Sequence, residues 1–243
     1  DAGEIDLAET PDLLVDQMVL GEVNIIYKEA SMYTMQFVQG NDIFAFRRLP
    51  GNFGMLARGC GANTPKGHVV LAAGDLVIHQ GQGEPQSLLT GKLKRWLFQT
   101  QIDSVNYKRC FLTANPTKNE VWICYPYQGA STCTKALIWN WQDNTFGTRD
   151  LPNVTYAASG LLDYTQGNTW ADYSGVTWAD LNKAWNGNDY TPADSRLILA
   201  STLPRLYLAD ARSTFAGTNI NATLERTGMA FDDPYSVKTI RAV

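Results

Sequence analysis

Four segments in the middle of the chain decide the fold class: Arg109-Cys-Phe-Leu-Thr113, Glu120-Val-Trp-Ile-Cys-Tyr125, Thr134-Lys-Ala-Leu-Ile-Trp-Asn-Trp141 and Thr145-Phe-Gly-Thr-Arg149. Each is strand-length and rich in β-branched or aromatic residues. They are separated by Asn115-Pro116, Gly129 and Asp143-Asn144, which punctuate the chain as turns. Apolar runs this short, bounded this often, fit antiparallel strands better than helices.

The same grammar extends outward. Towards the N-terminus, Asn24-Ile-Ile-Tyr-Lys28, Ser31-Met-Tyr-Thr-Met-Gln-Phe-Val38 and Ile43-Phe-Ala-Phe46 follow one another through Glu29-Ala30 and Gly40-Asn41-Asp42. A second unit runs His68-Val-Val-Leu-Ala72, Leu76-Val-Ile-His79, Ser87-Leu-Leu89 and, after Thr90-Gly91, Leu93 to Phe98, which is read here as a further strand. A last unit holds Arg196-Leu-Ile-Leu-Ala-Ser201 and Arg205-Leu-Tyr-Leu-Ala209. Corresponding strands at Ile26, Val70 and Trp122 lie 44 and 52 residues apart, the period of a propeller blade. The next interval, Trp122 to Ile198, is 76 residues and contains an insertion at 161–194. The expectation is therefore an all-β chain: one propeller-like or platform-type domain over 1–243, built of short antiparallel blades, with a loop-rich, Trp-rich insertion. A β-sandwich with strands of similar length is the plainer alternative.

Composition narrows the function classes. The chain has 243 residues, 20 Lys plus Arg against 24 Asp plus Glu, and a net charge of −4. A dedicated duplex-DNA reader would carry a basic balance instead. No apolar run is long enough for a membrane helix. The start at Asp1 and the strand-like end at Lys238–Val243 read as a processed or partial chain. Cys60, Cys110, Cys124 and Cys133 form no C-x-x-C pair, and only His68 and His79 accompany them. A Cys/His zinc site is thus poorly supported, and no cofactor or metal is expected. Reduced cysteines packed in strands fit better than a Cys124–Cys133 bridge.

No catalytic set stands out. Glu120, Asp143, Asp150 and Asp163 are the carboxylates a glycosidase would draw on, but spacing does not oppose any two across a cleft. His68 and His79 lack a G-x-S-x-G elbow, and His79 reads as a turn histidine. No phosphate-binding glycine loop is present. Two binding features remain. Lys92, Lys94 and Arg95 form the one compact basic cluster, a candidate protein interface. Trp170, Trp178 and Trp185 in the insertion, with Thr169-Trp-Ala-Asp172 repeated as Thr177-Trp-Ala-Asp180, offer either a loop pinned to the sheet or a glycan-stacking platform.

The order of several segments carries a family resemblance. Ile5-Asp-Leu-Ala-Glu-Thr10, Val23 to Tyr33, Gly74-Asp-Leu-Val-Ile-His79, Arg95-Trp-Leu-Phe98, Asn119 to Pro126, Lys135 to Asn144, Arg149-Asp-Leu-Pro152, the Thr-Trp-Ala-Asp pair and Leu224-Glu-Arg-Thr-Gly-Met229 succeed one another along most of the chain. Together they make it resemble the tail nozzle (tail tubular) proteins of short-tailed bacteriophages. That resemblance implies a β-propeller-bearing structural protein of the virion tail, arranged as a homo-oligomeric ring, six copies in the better-known members. It also implies a conduit for genomic DNA below the portal and adaptor, tail fibres as neighbours, and the host envelope as the contact at infection. It implies no enzymatic activity. The alternatives are a glycan- or receptor-binding propeller module of a virion, or a propeller glycosidase. A conduit must release DNA as readily as it admits it, so lumen-facing positions are expected to be polar or acidic, with the Lys92-Lys94-Arg95 cluster turned to a protein neighbour.

Overall fold

Strand β10, Glu120–Tyr125, has no solvent face: Val121, Trp122, Ile123, Cys124 and Tyr125 are all buried. Successive side chains of a strand point to opposite sides, so β10 must be covered by packing on both. The computed structural model describes residues 5–38, 43–161, 177, 195–211, 214–215 and 218–219, and it shows how the covering is done.

Residues up to Ala209 form one unit. It opens with a four-stranded antiparallel meander, β1 Leu14–Leu20, β2 Val23–Lys28, β3 Met32–Phe37 and β4 Phe44–Arg48. A second meander follows, β5 Gly61–Thr64, β6 Gly67–Ala72, β7 Asp75–His79 and β8 Gln86–Ser87. The third sheet has six strands in the order β14-β13-β12-β11-β10-β9, comprising β9 Phe111–Asn115, β10, β11 Cys133–Asn140, β12 Thr145–Leu161, β13 Ser195–Ser201 and β14 Leu206–Leu208. In the second unit, from Asp210, a two-stranded hairpin pairs β15 Thr214–Phe215 with β16 Thr218–Asn219.

The chain is thus mainly β and antiparallel, as expected, but its units differ from four separate blades. The segments around Arg196 and Arg205 extend the third sheet and make no fourth one. The reason is β12. Its first half pairs with β11 and its second half with β13, and the register shifts between Val154 and Tyr156 where it changes partner. Pro152 and Asn153, the latter at φ +51°, lie in a second break in register, against β11, between the Lys135–Asp150 and Cys133–Val154 pairs. Irregularities of this kind bend one continuous strand and are places where proline is tolerated. The bend curls the sheet. The hydroxyl of Ser159 on β12 donates to the carbonyl of Ala114 on β9 at 2.7 Å, and the Phe111 and Tyr156 rings sit 5.9 Å apart.

Two cores result. Val121, Ile123 and Tyr125 join Leu137 and Trp139 of β11, Ile25, Tyr27 and Met32 of the first sheet, and Val69 to Leu71, Leu76 and Val77 of the second. Trp122 and Cys124 point the other way, into the curl, among Phe111, Ala136, Val154, Leu197 and Leu199. Strand parity alone assigns each residue of β10 to its core.

The second departure concerns Leu93 to Phe98. This segment is helical: α1 spans Gly91–Arg95 and a π-helical turn continues through Trp96–Gln101. Thr90 caps the first turn through its hydroxyl. Leu93, Trp96 and Leu97 stand at i, i+3 and i+4, so one helical face reaches the first core, where Leu97 is fully buried. Lys, Leu and Arg are also strong helix formers. The 161–194 insertion leaves β12 at Leu161 and returns at Ser195, two residues that are paired across the sheet. Its interior, apart from Thr177, lies outside the described residues.

A lysine anchors the acidic N-terminal segment. Lys28 is buried, and its ammonium donates to the Leu7 carbonyl at 3.1 Å, to the Thr10 carbonyl at 2.6 Å and to the Thr10 hydroxyl at 2.9 Å, with Asp12 at 3.3 Å. Desolvation works to raise the Asp12 carboxyl's pKa. The hydrogen bonds from Thr10, the Ala30 amide, Ser31 and Lys28 outweigh it and hold the group well below the usual carboxylate range.

Because β10 serves both cores, truncation on either face should damage the same cooperative unit. Ile123→Ala is expected to cost about 3 kcal/mol and Trp122→Ala about 4 kcal/mol. Each should lower the urea midpoint of a single shared transition, followed in parallel by tryptophan fluorescence and far-UV circular dichroism.

Candidate functional site

Besides the Lys28 anchor, a buried cluster between the first two sheets and a basic cleft beside the third gather polar side chains.

The buried cluster is Tyr27, His68 and His79. His68 and His79 face each other across the β6–β7 hairpin, and the Tyr27 hydroxyl reaches in from β2 to His68 Nδ1 at 2.8 Å and His79 Nε2 at 2.7 Å. The outer nitrogens fix the protons. His68 Nε2 lies 3.0 Å from the Val19 carbonyl, which only accepts, so Nε2 carries hydrogen and Nδ1 is a lone pair. His79 Nδ1 accepts from the Gly81 amide at 3.2 Å, so its hydrogen is on Nε2. The chain of donors therefore runs from His79 Nε2–H to the Tyr27 oxygen, and from the Tyr27 O–H to His68 Nδ1. Every polar atom is used and both rings are neutral. Burial lowers the pKa of His68, the Val19 bond opposing it, and burial together with the neighbouring His68 lowers that of His79 to about 4. Burial also raises the Tyr27 hydroxyl's pKa far above its ordinary value. The expected turn histidine is thus a buried clasp.

The cleft has a volume of about 570 Å³. Its walls come from four distant parts of the chain: Asp16 of β1, Arg58 and Gly59 of the β4–β5 loop, Lys108 to Phe111 leading into β9, and the β11 and β12 residues Cys133, Val154, Thr155 and Tyr156. Backbone pairing brings them together. Gly59, at φ +78°, donates its amide to Asp16 Oδ2 at 2.9 Å and accepts the Leu112 amide at 2.8 Å. Arg58, Lys108 and Arg109 are exposed at this cleft, and among the described residues none of them pairs with a carboxylate. Cys110 and Cys133 lie buried at its floor. Burial pushes the Cys110 thiol up to about 12, and burial and Cys110 push Cys133 higher against the opposing pull of Arg109. Cys60 and Cys124 are likewise buried, and all four cysteines are free thiols. Cys124 faces Ala136 in the β10–β11 register, not Cys133.

The residues singled out in the sequence are distributed differently. Lys94 is committed within the chain: its ammonium contacts Asp75 Oδ2 at 2.7 Å, and Asp75 also receives the Ser87 hydroxyl at 2.9 Å. Arg95 Nε donates to the Gly91 carbonyl at 3.3 Å, and Lys92 is exposed. Trp170, Trp178 and Trp185 lie outside the described residues, as does Asp163. Of the other glycosidase candidates, Glu120 accepts from the Trp122 indole at 2.9 Å, Asp150 pairs with Lys135 at 3.3 Å, and Asp143 is exposed in the β11–β12 turn. Among the described residues no group of three or more His, Cys, Asp or Glu side chains is arranged to hold a metal, and no helix is long and apolar enough to cross a membrane.

No protein-family model matches the chain, and no curated protein matches it.

The clasp makes stability pH-dependent in one direction. A histidine whose folded pKa lies below its unfolded value of about 6.5 stabilises the fold above that pH and loses the contribution as pH falls towards the folded value. Between pH 7.5 and 4.5, His79 is expected to account for about 2–3 kcal/mol of lost stability. Urea unfolding at the two pH values should show the difference shrinking by that amount in His79→Gln. A second expectation is that iodoacetamide at pH 8 labels none of the four thiols in the native protein and all four in urea, because buried, protonated thiols are poor nucleophiles.

Proposed function

We propose that the chain is a structural component of the tail of a short-tailed phage, a nozzle-type subunit that assembles into a ring and lets DNA pass during ejection. The segment order that resembles the tail nozzle proteins motivates the reading. The observation that carries it is the arrangement of consecutive antiparallel meanders packed on shared cores, the construction a propeller-bearing platform requires. On this reading the two four-stranded meanders are blade-like units, and the curled third sheet closes against them.

The internal chemistry supports a scaffold. The clasp histidines, Glu120, Asp150 and Asp75 each have a structural partner. The exposed surface supports assembly. Phe37, at the end of β3, and Phe44, at the start of the edge strand β4, stack edge-to-face at 6.0 Å while 61% and 40% exposed. Such an apolar strand edge is normally covered by a partner. The net charge of −4 suits a wall that does not retain DNA, since several phosphate contacts per subunit multiply around a ring.

The reading predicts that the protein binds duplex DNA no more tightly than about 1 µM at physiological salt, the non-specific range, in a fluorescence-anisotropy titration. It also predicts no new reducing ends when the protein is incubated with host surface glycans. Glycan cleavage abolished by one carboxylate substitution would favour the glycosidase alternative, and tight glycan binding lost in Trp178→Ala would favour a glycan-binding module.

A further inference from the structure

The cleft at Arg58, Lys108 and Arg109 has a feature that fold maintenance does not explain. Three cations converge on one depression without a carboxylate to neutralise them, and the single acidic group there, Asp16, is occupied by the Gly59 and Gln17 amides. The local charge is positive in a chain that is negative overall. Around the cations stand Thr132, Thr155 and the Tyr156 ring, with Phe111 and Val154 buried behind them. Tyr156 is 62% exposed although its ring rests near Phe111. This combination suits a ligand that carries both negative charge and apolar groups.

The geometry selects among such ligands. A duplex about 20 Å across cannot enter a 570 Å³ depression, so it would touch the rim alone. A small free anion would meet exposed cations, where each ion pair contributes only about 0–1 kcal/mol. A peptide segment makes several such contacts at once and adds apolar burial. The chain itself contains one with the right composition. Ile5, Asp6 and Glu9 are exposed, and neither carboxylate has a cationic partner among the described residues. Lys28 holds the segment through the carbonyls of Leu7 and Thr10.

We propose that the cleft receives the acidic N-terminal segment of a second copy of this chain, with Arg58, Lys108 and Arg109 against Asp6 and Glu9 and the exposed Tyr156 ring against Ile5. Donor and acceptor surfaces are different patches of one molecule, so the contact is head-to-tail and propagates into a ring or a filament. The inference rests on the proposed assembly role and specifies the contact that builds it.

The test is a charge swap in the full chain, read by sedimentation velocity at low and high salt. Wild type is expected to self-associate, less so as salt rises. Arg58→Glu/Lys108→Glu/Arg109→Glu and, separately, Asp6→Lys/Glu9→Lys should each weaken association at least tenfold while leaving the urea midpoint unchanged, since all five side chains are exposed. Mixing the two variants should restore association. Wild type that stays monomeric at low salt, reversed variants that associate normally, or a mixture that fails to recover would each overturn the proposal. So would wild-type binding of a single-stranded oligonucleotide that the triple reversal abolishes, which would give the cleft to nucleic acid. Recovery in the mixture with open filaments in place of closed rings upholds the contact and removes the ring from the proposed function.

Discussion

A strand with no solvent face imposes conditions on everything around it. β10 places Val121, Ile123 and Tyr125 on one side and Trp122 and Cys124 on the other, all buried. Exposing either side would return several large apolar groups to water, at about 25 cal/mol per Å². The first two meanders cover one side, and the curl of the third sheet, made by the bend in β12, covers the other. Where the first two meanders meet, buried polar atoms have to be paired or they destabilise the contact. The Tyr27–His68–His79 clasp satisfies its own side-chain atoms with fixed tautomers, so it specifies how β2 sits against the β6–β7 hairpin.

These conditions favour a rigid scaffold. The clasp histidines, Lys28 and Asp75 have partners within the chain, and the thiols are desolvated and protonated. What remains available for work is on the surface: the Phe37–Phe44 edge, the unpaired cations of the cleft, and the exposed acids near the N-terminus. Surfaces of this kind make contacts between molecules, and that is the sense in which the structure and the proposed assembly role agree.

The sequence was informative where structure is local. Alternation and turn residues located β2, β3, β6, β7 and β9 to β11 because each strand's pattern is set by its own two faces. It misled at Leu93–Phe98, where the apolar run hides an i, i+3, i+4 face that a threonine cap sets in motion. It also misled beyond Arg149, where the segment read as Thr145–Arg149 continues through Pro152 and Asn153 as one strand to Leu161. Which partner a strand takes along its length is a long-range property with no local mark. The histidine pair was legible in principle: His68 and His79 lie symmetrically about the Ala73-Gly74 turn, so a tight hairpin must oppose them. Tyr27 could not be found this way, because it arrives from another sheet. The cleft was also hidden. Arg58 and Lys108-Arg109 are some fifty residues apart and meet because the Gly59 carbonyl bonds the Leu112 amide.

The central claim is that this scaffold works as one copy in a closed ring. A side-chain-resolution electron-microscopic reconstruction of the particle that contains it addresses that claim most directly. The account predicts a closed ring, six copies by the resemblance, around a lumen lined by polar and acidic side chains, with Arg58, Lys108 and Arg109 facing a neighbouring copy. Isolated copies on the outside of the particle, or a lumen wall formed by those three cations, would contradict it.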